Sequence, residues 1–473
     1  MSNSDNAVVK KKWYERLPHT YVLLFSMIVV AAILTWVLPA GEFTRAAVGG
    51  VARPQVIPGS YTLVERSGVG LWELLKSIPI GLGGASTIIF MIMISTAAFG
   101  VIRETGALDN SIFLALHSIK KNKIPGVLSI WVVTFIFSIM GVLVGPEMHL
   151  PFIVIAISIA LGLGYDVMVG LGMVIGGGYV GFAFGPLNAA VIGSAHAIMG
   201  MQTFSGRGLR WVLWLCATIV TAIFTSLYAR KILKYPEKSL TKEVDTSEFK
   251  LNIVDEKSIT VTGRHKLVML VLVVMFACII FGAARMGWYL IEMTTVFLVG
   301  GVVAGLVYGF NIRKVIDLYV KGAASASGVA LIVGIARGIQ VVLEQGRIMD
   351  TIIHALSAPL QNFGPVFGAI FISIVSSAVH FFIPSGSGTV FAVMPILGPL
   401  GEMIGVSPQT AVLGVQIGAT LPNFLFPTVG VMMAMLGISK VPIDKWFRFA
   451  VKLTLLLFIV SWVFIVIAVM IGY

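Results

Sequence analysis

Apolar runs of about 20 residues recur along the chain, separated by short polar or glycine-rich breaks. A helix needs that length to cross a hydrocarbon core about 30 Å thick, so each run predicts a membrane-crossing helix or part of one. Tyr21 to Leu38 has no small-residue cleavage site after it and reads as a retained first helix, not a signal peptide. Glu42 to Gly70 is mixed polar and predicts an external loop, Leu71 to Ser77 a short interfacial helix, and Gly83 to Ile102 a return to the inside.

Two interruptions stand out. Val144-Gly145-Pro146-Glu147-Met148-His149 separates the apolar runs Ile124 to Leu143 and Leu150 to Leu163, and Ile383-Pro384-Ser385-Gly386-Ser387-Gly388-Thr389 separates Val366 to Phe382 from Val390 to Leu400. For the first, two spans joined by a tight external turn and a re-entrant hairpin with its tip at mid-membrane both fit the pattern. Irregular backbone at membrane depth is tolerated only where protein or a water-filled cavity satisfies its polar groups, so the hairpin reading implies a site. Val167 to Met201 is broken at Gly185-Pro186-Leu187-Asn188, and Ala411 to Leu436 at Leu421-Pro422-Asn423 and Phe426-Pro427-Thr428; each predicts a helix interrupted in its middle.

Composition narrows the class. The 473 residues are 58% hydrophobic and 11% charged, against about a quarter charged in a soluble globule. The long runs exclude an alternating-strand barrel. The net charge of +12 comes from Lys and Arg in short loops, a topogenic pattern that needs no nucleic-acid partner; the bilayer is the partner it implies. Lys10, Lys11, Lys12 and Arg16 place the N-terminus in the cytoplasm, and counting helices places the C-terminus outside a multi-pass chain in the cell membrane. Cys216 and Cys278 lie in apolar runs, where packing explains them. No phosphate-binding loop, metal-ligand spacing or hydrolase elbow is present, so neither an ATP-driven pump nor an enzyme is expected.

The chain also repeats itself in order. Val101-Ile102-Arg103-Glu104-Thr105-Gly106 matches Val341-Val342-Leu343-Glu344-Gln345-Gly346, each followed by Asp109 or Asp350. Pro146 matches Pro384, Gly172 and Gly176 match Gly414 and Gly418, and Phe182 and Phe184 match Phe424 and Phe426. One extra run, Lys266 to Ala284, makes the second half start on the opposite side, so the repeats are inverted. The expected fold class is an all-α polytopic membrane protein of two inverted repeats, each with a re-entrant helical hairpin and a broken transmembrane helix. The divisions are a cytoplasmic N-terminus 1–19, a first repeat 20–230 (hairpin 124–163, broken helix 166–201), a linker 231–264, a connecting helix 265–285, and a second repeat 286–473 (hairpin 364–403, broken helix 408–437). Such repeats hold a solute near the bilayer midplane, where half-helix ends present oriented backbone groups.

Ala336-Arg337-Gly338-Ile339-Gln340-Val341, Ile383-Pro384-Ser385-Gly386-Ser387-Gly388, Pro399-Leu400-Gly401-Glu402 and the first tip with Glu147 resemble the C4-dicarboxylate anaerobic carrier family, and within it the YfcC branch of basic amino-acid antiporters, in the ion transporter superfamily. The resemblance covers essentially the whole chain. It implies a dimeric secondary transporter that moves its substrate domain against a scaffold in an elevator-like way. Relatives resembling arginine/ornithine exchangers carry Gly-Glu-Glu at the first tip, where this chain has Glu147 alone, and Ala189 stands where Pro is common.

The candidate substrate-binding residues are Gly145, Glu147, Met148, His149, Asn188, Arg337, Ser385, Gly386, Ser387, Gly388, Thr389, Asn423 and Thr428. Glu147 is costly to ionise at membrane depth and suits an ammonium or guanidinium, or a proton; in an ordinary surface turn it would do neither. His149 titrates near neutrality and reads equally as a relay or a structural histidine. The small hydroxyls and glycines of the second tip suit a carboxylate or Na⁺. Arg337 is the one basic residue placed inside a run, as a counter-charge or a snorkelling side chain. His196 and His380 read as structural. No cofactor is expected beyond a coupling ion, Na⁺ or H⁺, a Na⁺ taking oxygens near Gly185, Asn188, Ser385 and Ser387. The solute expected is a basic amino acid exchanged for a related amine, or a C4-dicarboxylate or short-chain carboxylate moved with Na⁺ or H⁺.

Overall fold

The computed structural model describes residues 20–46, 55–57, 59–122, 125–249 and 262–473. The expected cytoplasmic segment 1–19 and residues 250–261 of the linker lie outside the described residues. Ten helices among those described are long and apolar enough to cross a membrane, and the chain is a multi-pass membrane protein.

In order these are α1 (Thr20–Val37), the nearly continuous pair α2 (Leu71–Gly84) and α3 (Ser86–Glu104), the amphipathic α4 (Ala107–Lys121), and the arms α5 (Gly126–Leu143) and α6 (Ile153–Gly162) joined by a 3₁₀ segment Pro146–Phe152. Next come α7 (Val167–Leu171), a π-helical turn Gly172–Gly176, α8 (Gly177–Phe184), a second π turn Ala189–Gly193, α9 (Ser194–Ile198) and α10 (Arg207–Lys234). The second half holds α11 (Gly263–Met286), α12 (Leu290–Tyr308), α13 (Ile312–Gln345), α14 (Met349–Ser357), α15 (Pro365–Phe382), α16 (Gly386–Met403), α17 (Pro408–Thr420), α18 (Gly430–Ser439) and α19 (Ile443–Met470).

The fold is all-helical apart from the external loop, which forms two short antiparallel pairs, Gly41–Glu42 with Thr62–Leu63 and Arg45–Ala46 with Gln55–Val56. Its backbone carries Phe43, whose N–H donates to Asp350 at 2.9 Å, and Arg45, which pairs with the same carboxylate at 2.7 Å. The positions from Arg313 to Leu343 lie in one 34-residue helix, α13, begun by an Asn311 cap on Lys314 N.

Glycine decides how closely these helices pack. A Cβ at Gly81 would lie 2.5 Å from Gly334 O, and one at Gly322 would lie 2.6 Å from Ala97 Cα, so α13 crosses α2 and α3 backbone to backbone. The Thr134 carbonyl is 2.5 Å from the place of a Gly177 Cβ, and Ser138 O and Gly141 face Gly181, so α5 runs alongside α8 in the same direction. In the second half Ala369 O lies 3.0 Å from a Gly414 Cβ position, and Ser376 Cβ lies 2.5 Å from that of Gly418, which sets α15 alongside α17 in the same manner.

Both interrupted units turn back on themselves. Tyr165 Oη is 2.8 Å from the Cβ position of Gly126, and Pro365 Cγ is 3.2 Å from that of Gly405, so the two ends of each unit meet. The loop ends also sort into two groups. Asp166 Oδ2 accepts from Tyr228 (2.7 Å) and Ser239 (2.6 Å), Ser158 donates to Phe249 O (2.7 Å), and Lys440 pairs with Glu248 (2.7 Å), which straps the described part of the linker across one end. At the other end of α19, Tyr473 meets Ser407, Arg210 and Gly206.

Candidate functional site

The tip of each hairpin comes level with the break of the helix beside it. The His149 ring lies against Gly178, with Cδ2 2.5 Å from the place of a Cβ, and Val142 Cα is 2.8 Å from that of Gly185, where α8 unwinds. On the other side, His380 Nε2 is 2.9 Å from Asn423 Oδ1 in the unwound turn after α17. The two halves then converge: Gly386 abuts Val191 Cγ2 (2.9 Å) and Phe182 Cζ (3.3 Å), and Tyr179 meets Phe424 edge to face at 5.3 Å. Glycine is required at Gly178 and Gly386 because any side chain would occupy its neighbour's volume.

At the first tip, Gly145 has its would-be Cβ position taken by the Glu147 carboxylate, with Tyr289 Oη 3.8 Å away. Glu147 Oε2 is buried without a hydrogen-bond partner among the described residues. The Glu147 charge, and after it burial, raises the Tyr289 phenol above its ordinary value and keeps it protonated. His149 is fully buried, with Nε2 3.1 Å from Phe137 O and Nδ1 3.3 Å from Pro146 O. Only the imidazolium donates to both carbonyls, and the neutral ring to one. In either form the ring is turned to backbone and fastens the tip to α5. Met148 is buried, in the apolar cluster that also holds Val144, Leu290 and Met293.

At the second tip, Ser385 is exposed and caps α16 through Gly388 N (3.2 Å), while Ser387 and Gly388 are half-buried. The Thr389 hydroxyl donates to Ile383 O (2.9 Å), so its oxygen accepts from His380 Nδ1 at 3.0 Å. The histidine given a structural reading therefore ties the arm, tip and break of the second half together. At the first break Asn188 donates to Phe182 O (3.1 Å) and accepts from Val191 N (3.2 Å), closing both sides of the gap. Thr428 is buried with its Oγ1 unpartnered among the described residues.

Arg337 is exposed on α13, its Nε 2.6 Å from the Cβ position of Gly84, one turn from the Val333 that packs on Gly430. It stands beside the second broken helix, on neither tip. A second basic residue, Arg210 near the start of α10, is fully buried. Its Nε donates to Gln416 Oε1 (3.0 Å), and Nη1 to Ser205 O, Gln409 Oε1 and Tyr473 Oη at 3.0, 3.1 and 2.7 Å. This fixes the Gln416 amide so that Nε2 donates to Ala183 O at 2.8 Å, where the first helix breaks. Sequence reading passed over Gln416, although a lone amide in an apolar helix is a legible signal.

The profile of the family described as the C4-dicarboxylate anaerobic carrier, DcuC, matches residues 17–470. The "putative basic amino acid antiporter YfcC" of Escherichia coli is 28% identical over the whole of both chains, and an uncharacterised protein of Haemophilus influenzae is 27% identical over 97% of this chain and 98% of its own. Among solved structures, the Alcanivorax borkumensis YdaH transporter matches 96% of this chain and 99% of its own at TM-score 0.44 and 17% identity, and Neisseria gonorrhoeae MtrF matches 96% and 95% at 0.44 and 16%. With nearly its entire length matched, the chain belongs to the C4-dicarboxylate anaerobic carrier family and is a membrane transporter of that family.

Proposed function

We propose that this protein is a secondary active carrier that exchanges a basic amino acid for a related amine, with the solute held between the two hairpin tips and the two helix breaks. The observation that carries this reading is Glu147, a carboxylate on the first tip with a buried, unpartnered oxygen. A buried charge without a partner is expensive, and a cationic ligand offsets that cost. No Lys or Arg stands on either tip to attract an anion.

The halves are proposed as inverted repeats, supported by the matching placement of α5 on α8 and α15 on α17 and by tips that reach the middle of each broken helix. The hairpins and broken helices would move as one body against α1 to α3 and α11 to α13, in a dimer with the N-terminus cytoplasmic and the C-terminus outside. H⁺ or Na⁺ would serve as the coupling ion. The Escherichia coli relative, named as a basic amino acid antiporter, agrees with this solute. The neutral hydroxyls of the second tip favour one other reading, a C4-dicarboxylate or short-chain carboxylate as solute.

Uptake of labelled arginine, ornithine and lysine into proteoliposomes preloaded with each amine tests the first reading, with fumarate and succinate alongside. Exchange of the cationic amino acids, lost in Glu147→Gln with folding intact, supports it. Accumulation of fumarate or succinate with no amino-acid exchange replaces it with the second.

A further inference from the structure

Between α11 and α12 lies a groove of about 460 Å³, far along the chain from both tips. Its walls Leu270, Val274 and Val299 are each about half exposed, and at its floor the Met275 side chain fills the place that a Gly300 Cβ would take. The lining offers almost nothing to a polar ligand. The Thr295 hydroxyl donates to Ile291 O at 3.0 Å, and Cys278 is a free thiol, a weak donor. A helix about 10 Å across is too broad to enter between two touching helices, whereas a single hydrocarbon chain is not. From Leu270 to Gly282, which the Trp288 ring covers, the groove runs about 18 Å at 1.5 Å per residue. That is close to the depth of one leaflet of a hydrocarbon core about 30 Å thick. The Trp288 end also carries charge of both signs. Arg285 follows Cys278 by seven residues on α11, and Glu292 precedes Val299 by seven on α12, so each stands two turns beyond the lining on the same helix face. Both are exposed, and neither takes part in an ion pair of the described residues.

We propose that this groove seats one molecule of phosphatidylethanolamine, with an acyl chain along the groove, the phosphate at Arg285 and the ammonium at Glu292. Arg285 presents a guanidinium fork to the phosphate oxygens. Glu292 accepts from Tyr289 N with one oxygen at 3.0 Å, and its other oxygen is left for an ammonium, which carries three N–H donors. A phosphatidylglycerol head brings the phosphate without a cation, and a phosphatidylcholine head brings a cation without an N–H. An acyl chain gains little by exchanging lipid neighbours for Leu and Val, so the head decides which lipid stays. The site does not depend on which solute is carried.

The test uses the purified full-length protein in detergent, with dioleoylphosphatidylethanolamine as the probe and native mass spectrometry as the readout. One lipid per chain should be retained, and the phosphatidylglycerol and phosphatidylcholine of the same acyl chains should bind roughly tenfold more weakly. Val274→Trp, a change at an exposed position that fills the groove, should abolish retention. Arg285→Ala should weaken it by roughly tenfold, and Glu292→Gln should remove the preference for the ethanolamine head. In a Cys216→Ser background, N-ethylmaleimide should label Cys278 of the lipid-free protein, and added phosphatidylethanolamine should slow that labelling. The proposal is overturned by the absence of any retained lipid, by equal retention of the three heads, by wild-type retention in both Val274→Trp and Arg285→Ala, or by Cys278 labelling that the lipid does not slow. Disulfide cross-linking of Cys278 between two chains, undiminished by the lipid, gives the face to a second copy and overturns it as well.

Discussion

His380 and Asn423 meet at 2.9 Å, Nε2 to Oδ1, and in doing so join the first arm of the second hairpin to the unwound turn of the second broken helix. Both residues are buried, and Thr389 on the tip completes the chain through His380 Nδ1. His380→Ala therefore leaves two buried polar groups without their partner, each costing about 1–3 kcal/mol. The variant should unfold at lower temperature in detergent and lose uptake. His380→Gln, which can still bond to one of the two, should recover part of the unfolding temperature.

Gly178 offers a sharper probe of the first tip. A methyl there would lie 2.5 Å from His149 Cδ2, and the His149 ring is fully buried with its nitrogens against two backbone carbonyls. Gly178→Ala should displace the tip and abolish uptake at an expression level close to wild type. Gly208, in α10, has nothing within 4 Å of its Cβ position. Gly208→Ala should leave uptake unchanged and raise stability by about 0.5 kcal/mol, the entropic gain of replacing a helical glycine.

Arg210 holds Gln416 in the one amide orientation that serves the first helix break. Gln416→Leu removes the acceptor from a buried guanidinium nitrogen and the donor from Ala183 O together. A loss of roughly 2–4 kcal/mol is expected, since bonds to charged groups are worth about 1.5–3 kcal/mol each. Gln416→Glu should retain the contact to Arg210 and lose the one to Ala183 O, so that its unfolding temperature falls between those of Leu and Gln while its uptake matches that of Leu.

Accessibility separates the two tips. With Cys216 and Cys278 replaced by Ser, a cysteine at Ser385, which is exposed, should react with a small water-soluble thiol reagent. One at Met148, which is 1% exposed within the apolar cluster that includes Leu290 and Met293 of α12, should not react in this arrangement. Equal labelling of the two would show that Met148 faces the cavity and that the packing against α12 is wrong.

The apolar runs and their Gly- and Pro-containing breaks determined the helices by themselves, because in a bilayer each backbone N–H and C=O must be satisfied within its own segment and only long apolar stretches can do so. Pro146, Pro384, Asn188 and Asn423 marked the tips and breaks in the sequence, since local chemistry stops a helix wherever it occurs. Which polar residues face one another was decided only by the tertiary structure. The sequence gives no sign that the His149 ring faces carbonyls twelve and three residues away, that His380 lies opposite Asn423, or that Arg210 bonds to Gln416, Gln409 and Tyr473. Those pairings come from helices distant along the chain, brought together by glycine contacts such as Gly141 on Gly178 and Gly386 on Phe182. A hydrophobic pattern records which residues leave water, but burial has no direction, and the direction in which His149, His380 and Arg210 point is what packing alone supplies.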